Sequence, residues 1–460
     1  MQRSSNTQQL VILLIGIIGY IALYVFNAFL THHMIMSHYG AISAAISLLT
    51  IIGTVSLIGV DSSSKKYLAK YLFQQDSYRA RQFLRWSLTV LLIASVIILV
   101  TDTVAIIGIF VIEKIIKVID QRIYITFFFL LFSPFSAAIL LISAYYASIQ
   151  KNIAATFIES SALNLILVAI ACVILLMPFH LFGVKLVFVI YAMAYSLLVA
   201  ITGIGCYRAY QRRQMVLTTP VSESSITPLQ KTWLHTSIKV ALFNMSTVLV
   251  IQCDILMLYL MSFFVESIKT MHQTALFAVA TTISSALWLI VSNSYNTVSP
   301  LTSSHFDDPK KCRHLNRVIL KATLTAVPLT LAVFFIIVVF GHAFLAHFGT
   351  HYVSAYPTLV VLSISPLLFM ASGYCSNGLK YTGHENSALK IMSLSMLVFF
   401  ILCPLLTFYL GMMGTAMSDI IVWSCIGIAS NIVFELPSNL EVDTCKSSTA
   451  RSNVLPVIIK

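Results

Sequence analysis

Leu10-Val-Ile-Leu-Leu-Ile-Gly-Ile-Ile-Gly-Tyr20-Ile-Ala-Leu-Tyr-Val-Phe-Asn-Ala-Phe-Leu30 carries no charge and one amide, Asn27. A helix of about 20 apolar residues spans the hydrocarbon core of a bilayer. The run is too long for the apolar segment of a signal peptide, and no small-residue cleavage site follows it. It reads as a first membrane span, and the rest of the chain repeats the pattern.

Apolar runs place spans over residues 9–31, 41–60, 87–110, 124–149, 154–177 and 186–207, then 238–262, 274–298, 318–340, 355–377, 388–409 and 413–434. Composition agrees. Hydrophobic residues are 58% of the 460, and charged residues only 10%, against about 25% in soluble domains. The expected fold is an all-α polytopic membrane protein of about twelve spans.

The net charge is +12. The cations sit in short loops between apolar runs, which fits cytoplasmic loops and not a nucleic-acid surface. With the N-terminus inside, all but five of the 28 Lys and Arg fall on inside segments. The five are Lys114, Lys117, Arg122, Lys185 and Lys269. Both termini are therefore expected in the cytoplasm. The eight cysteines form no CxxC pair, and neither disulfides nor a metal site are expected.

The polar stretch after the sixth span divides the chain. The expected domains are an N-terminal six-helix lobe (1–207), a cytoplasmic linker (208–237), a C-terminal six-helix lobe (238–434) and a cytoplasmic tail (435–460). A trace of duplication supports this. Ser143-Ala-Tyr145 with Lys151 downstream matches Ser372-Gly-Tyr374 with Lys380. Glu159-Ser-Ser-Ala-Leu163 matches Glu385-Asn-Ser-Ala-Leu389. An even span count per half makes the repeat parallel, with cargo bound between pseudo-symmetric lobes.

An ionisable group at the bilayer centre costs about 2.5–3.5 kcal/mol on insertion scales, so such residues mark candidate sites. The clearest is Asp254 in Val248-Leu-Val-Ile-Gln-Cys-Asp254, with Gln252 nearby. It reads as a cavity or coupling residue, or as a helix-to-helix tether. Asp61, Glu159, Asn27, Asn293, Asn296 and Lys380 are further cavity or coupling candidates. Asp61 also fits a helix cap, Glu159 and Lys380 an interfacial position, and the amides interhelical bonding. Asp419 sits closer to an interface. Lys65, Lys66 and Lys70 are basic candidates at the cytoplasmic mouth. They lie in Ser62–Trp86, an amphipathic segment suited to the anionic inner leaflet or to an anionic cargo head. His32, His33 and His38 crowd the first outer loop. No P-loop, no H-E-x-x-H and no large outer loop is present, so ATP-driven or catalytic readings find no anchor.

Several stretches together resemble the polysaccharide flippases of the MOP superfamily (Wzx-type O-antigen transporters). They are Val60-Asp-Ser-Ser-Ser-Lys-Lys-Tyr-Leu-Ala-Lys-Tyr-Leu72, Gln252-Cys-Asp254-Ile-Leu-Met-Leu258, Ala275-Leu-Phe-Ala-Val-Ala280 and Asn296-Thr-Val-Ser-Pro300-Leu. Phe348-Gly-Thr-His-Tyr-Val-Ser-Ala-Tyr356 and Tyr409-Leu-Gly-Met-Met-Gly-Thr-Ala416 complete the set. The resemblance covers nearly the whole chain. It implies two six-helix lobes in a MATE-like V that opens alternately inward and outward. It also implies an undecaprenyl-pyrophosphate-linked oligosaccharide as cargo, carried from inner to outer leaflet of a bacterial inner membrane. The implied partners are the bilayer, that cargo and the polysaccharide polymerase machinery. The implied cofactor is none beyond a coupling cation, H+ or Na+. The family lines its cavity with cations for pyrophosphate, whereas the first two spans here carry no Lys or Arg in their cores. A MATE-like antiporter of small cations or drugs is the alternative. A membrane-embedded polymerase or acyltransferase is a third reading.

Overall fold

Lipid offers the backbone no hydrogen-bond partners, so each apolar run closes its own bonds as a helix. The structure is a computed structural model that describes residues 2–116, 121–175, 183–214, 227–264, 272–305, 309–370 and 385–451. Side chains over 2–10, 115–121, 212–229, 293–325, 371–385 and 433–451 lie outside that description. Among the described residues, twelve helical segments are long and apolar enough to cross a membrane.

In the first half these are α1 (Gln2–His33), α2 (Met36–Ser56) and, after a short α3 (Val60–Phe73), the long α4 (Ser77–Ile116). The fourth span is broken into α5 (Gln121–Leu130) and α6 (Ser133–Ser148). The fifth is α7 (Asn152–Thr156), one π-turn (Phe157–Ser161) and α8 (Ala162–Leu175), and the sixth is α9 (Val184–Gln214). The second half begins with α10 (Thr227–Met261), α11 (His272–His305) and α12 (Pro309–Ala346). Its fourth span is a 3-10 turn (Thr350–Ala355), α13 (Tyr356–Leu362) and α14 (364–370). It closes with α15 (Glu385–Leu410) and α16 (Met412–Arg451).

Helix contacts repeat between the halves. α1 packs on α8 as α10 packs on α15. The α2–α5 contact corresponds to α11–α13, α8–α9 to α15–α16, and α6–α9 to α13–α16. Across the halves, α2 meets α10 and α1 meets α11, with α2 against α11 between them. That is the pattern of two like bundles related by an axis along the membrane normal.

Apolar burial does not drive helices together in lipid; close packing does, through small residues. On α2 the buried small residues include Gly40, Ala41, Ala44, Ala45 and Ser47, packed among Tyr39, Ile42, Leu49 and Ile51, and α11 buries Ala275, Ala278 and Ala280. These two helices hold the centre. The periphery is the reverse: Leu92, Val96, Val100 and Val104 of α4 face outward.

The expected linker 208–237 is helical at both ends: α9 continues to Gln214 and α10 starts at Thr227, with Pro228 in its first turn, where proline costs no hydrogen bond. The expected tail 435–460 continues α16 as far as Arg451. Polarity ends a membrane span without ending a helix.

Candidate functional site

Three of the expected candidates, Asn293, Asn296 and Lys380, lie outside the described side chains. The others fall in three places.

The first is the seam where α1 and α2 meet α10 and α11. Asn27 donates to its own helix at Leu23 O (2.9 Å) and accepts from the Tyr39 hydroxyl (3.1 Å). Tyr20 crosses the seam, its hydroxyl donating to Ile283 O at 3.2 Å. Tyr39 also faces Ser43 and Thr282. The seam thus presents hydroxyls and one amide. α1, α2 and α11 contain no Asp or Glu. Towards the end of the seam near His33, Tyr24 donates to Phe344 O at 3.2 Å and meets His347 Nδ1 at 3.3 Å, while His32 Nε2 lies 2.8 Å from His347 O. Phe348 packs edge-on to Tyr24.

The second place is where α3 and α4 meet the start of α10. The amphipathic segment that includes α3 is expected on the anionic inner leaflet or against an anionic cargo head. Instead it buries Leu68, Tyr71 and Leu72 against Trp233 of α10, while Phe73 alone stays 87% exposed. Trp233 has no exposed surface. Its indole N–H donates to the Tyr71 hydroxyl at 2.9 Å, and its ring lies against Phe83 and Trp86. Burial lifts the Tyr71 phenol above its ordinary range and keeps it a neutral acceptor. Tyr67 meets Thr236 (2.8 Å), Ser237 donates to Ser63 (2.8 Å), and Asn244 donates to Ser62 (2.9 Å). Ser62 in turn donates to Asp61 at 3.0 Å. Asp61 is therefore tied into a clamp between the halves.

The clamp needs Gly59. Its φ of +73° is left-handed, and a Cβ there would fall on the Ser237 carbonyl. Gly59→Ala is expected to cost about 1–3 kcal/mol, read as a lower thermal midpoint of the purified protein; an unchanged midpoint would mean the clamp does not contribute. Beside it, Lys65 pairs with Glu159 at 3.8 Å, and Glu159 accepts from Ser143 at 2.8 Å. Both partners are about half exposed, so the pair contributes little stability. Lys66 and Lys70 are exposed.

The third place is inside the second half. Asp254 is only 4% exposed, and its Oδ1 has no hydrogen-bond partner. It interacts electrostatically with Asp419 of α16, itself 3% exposed and facing Ser365 and Trp423. Cys253 and Cys403 lie within reach of the same charges. Trp288, Phe369 and Trp423 wall the region with ring centroids 4.7–5.5 Å apart. Gln252 does not join this cluster. Two residues on a helix turn about 200°, so it points away from Asp254. The buried acid pair thus sits within one bundle: α10, the fourth seam helix, carries Asp254 but turns it towards Asp419, and α1, α2 and α11 contribute no carboxylate.

Sequence reasoning underrated Asp419 and missed Asp102, on α4. Asp102 is 5% exposed, and neither carboxyl oxygen has a hydrogen-bond partner. The signal was present: an acid inside the apolar run 87–110 meets the criterion that picked out Asp254.

No protein-family model matches the sequence, and no curated protein does. Solved structures do. A MATE transporter crystallised with MaD3S superposes with a TM-score of 0.68 at 16% identity, over 96% of each chain. A MOP-superfamily transporter from Pyrococcus furiosus, described by a binding pocket of reverse polarity, gives 0.67 at 13% identity, over 94% of this chain and 95% of that one. An inward-facing multidrug-resistance MATE transporter of the MOP superfamily gives 0.65 at 14% identity, over 95% and 99%. The chain therefore has the fold of the MATE transporters.

Proposed function

We propose that this chain is an alternating-access flippase. It moves a lipid-linked (undecaprenyl-pyrophosphate) oligosaccharide from the inner to the outer leaflet of a bacterial cytoplasmic membrane, for surface polysaccharide assembly. Both termini lie in the cytoplasm, and the polymerase machinery receives the product. The observation that carries the reading is the separation of the acids from the seam. α1, α2 and α11 meet through tyrosine, serine, threonine and asparagine side chains, with no carboxylate among them.

A sugar cannot cross hydrocarbon alone, because its hydroxyls lose water without gaining partners. A seam of neutral hydroxyls replaces that water while the prenyl tail stays in lipid. Lys66 and Lys70 at the cytoplasmic mouth offer the pyrophosphate a first contact. An inside-negative potential drives an outward-moving anion by about 2.3 kcal/mol per charge per 100 mV. Asp254 and Asp419, out of the cargo path, hold the coupling cation, H+ or Na+.

The alternative is a MATE-like antiporter of small cations or drugs. The fold supports it, as does the acid pair. A deletion strain separates the two. The flippase reading expects lipid-linked repeat units to accumulate on the inner leaflet, with drug susceptibility unchanged. Normal surface glycan with raised drug susceptibility would replace it with the antiporter. A transporter fold also supports the view that the chain is not an enzyme.

A further inference from the structure

Of the twelve membrane-length segments, the one in α4 is the least buried. Near its start Ala80, Phe83 and Ser87 form a buried stripe, and the Phe83 ring lies against Trp233 in the clamp. A helix turns about 100° per residue, so Arg81, Arg85, Leu88, Leu92 and Val96, spaced by three or four, share the opposite face. All five are exposed. The stripe continues at the same spacing to Phe110 and carries no charge after Arg85.

Its length says what covers it. From Leu88 to Phe110 the helix rises about 33 Å, against about 30 Å for the hydrocarbon core of a bilayer. This face therefore lies on acyl chains. Arg85 stands about 5 Å beyond Leu88, and Arg81 about 10 Å, which is the depth of the polar headgroups. Arg79, on another face, turns back to Asp76: its Nε lies 3.3 Å from Oδ2, and its backbone N–H donates to Oδ1 at 2.9 Å. Arg81 and Arg85 are one turn apart, so two guanidinium groups stand as neighbours at the head of one aliphatic stripe. Guanidinium forks match phosphate oxygens, and their charge matches an anionic headgroup.

We propose that Arg81 and Arg85 bind the headgroup of an acidic diacyl phospholipid whose chains lie along Leu88, Leu92 and Val96. The lipid holds α4 in the clamp, because Ala80, Phe83 and Ser87 are on the back of the same turns. The occupant is a bilayer phospholipid and not the cargo, since the stripe faces away from the clamp on α10. The site is independent of the transport activity assigned above.

The test places the full-length chain in nanodiscs of phosphatidylcholine, alone or mixed with phosphatidylglycerol. The parent protein is expected to show a higher thermal midpoint with phosphatidylglycerol. Released into mild detergent and weighed by native mass spectrometry, it is expected to retain that lipid about tenfold over phosphatidylcholine. Arg81→Gln with Arg85→Gln is expected to lose both preferences, and Lys114→Gln, at the far end of α4, to keep them. Should the double variant fail to fold, Arg85→Gln alone is expected to weaken retention about threefold. Inorganic phosphate added to phosphatidylcholine discs is expected to have no effect, because the aliphatic stripe is part of the site. No lipid preference in the parent protein overturns the proposal, as does a preference that the folded arginine variants keep. Stabilisation by free phosphate alone, or displacement of phosphatidylglycerol by a polyprenyl phosphate, overturns it too.

Discussion

Asp254→Asn is expected to lower coupled transport at least about tenfold while leaving the folded protein as stable as before or more so. Two carboxylates buried together in a membrane bundle repel, and each costs free energy to bury. The pair persists only if a positive charge is held with it for part of the cycle. An amide keeps the shape, removes the charge and relieves the repulsion. Asp419→Asn is expected to behave alike, because the two acids lie within electrostatic reach of each other and share one ion in the proposed mechanism. The double variant should therefore lose little more than either single one, the non-additivity expected of groups in contact. The measurement is an initial rate of uptake in proteoliposomes under an imposed cation gradient, with a thermal midpoint alongside. Full transport in Asp254→Asn would remove this site from the mechanism. A transport loss matched by an equal loss of stability would make the acids structural.

Trp233→Ala should have the second largest effect, on the contact of α3 and α4 with α10. Its ring is wholly buried against Tyr71, Phe83 and Trp86, and it donates to Tyr71. Removing a ring so placed costs about 3–5 kcal/mol. Because the ring joins α3 and α4 to α10, that loss falls on the state in which the halves meet at this end. A cysteine placed by Ser237→Cys, buried against Ser63 in the parent protein, should become reactive to an impermeant thiol reagent from the cytoplasmic side. Trp233→Phe keeps most of the packing and loses the hydrogen bond, so it should cost only about 1 kcal/mol. Equal, low labelling in all three proteins would show that this contact is no gate.

The spans were legible because about 20 uncharged residues have no other stable place, as in Leu10–Leu30. The even count followed from where the lysines and arginines fall. The repeat was visible only in short matches, yet the helix contacts repeat across the whole length. What escaped was everything set by three-dimensional neighbours. Asp254 stood out alone, but its partner Asp419 lies far along the chain. Gln252 sits two residues from Asp254 and points the other way. Trp233 fell in an expected linker, and only the packing of α3 on α10 turns it into a clamp. The breaks at Ser133-Pro134 and Ser365-Pro366 lie inside runs whose apolar character never lapses, so hydropathy passes over them.

In the proposed mechanism a hydroxyl-lined seam shelters a sugar head while acids within one bundle handle the driving ion. Its most direct test places the purified chain in liposomes carrying lipid-linked oligosaccharide on the inner leaflet. A glycan-cleaving enzyme added outside then scores molecules that have crossed. The account predicts rapid cleavage with the parent protein and loss of that cleavage with Asp254→Asn. Cleavage no faster than in protein-free liposomes, under any imposed gradient, would contradict it.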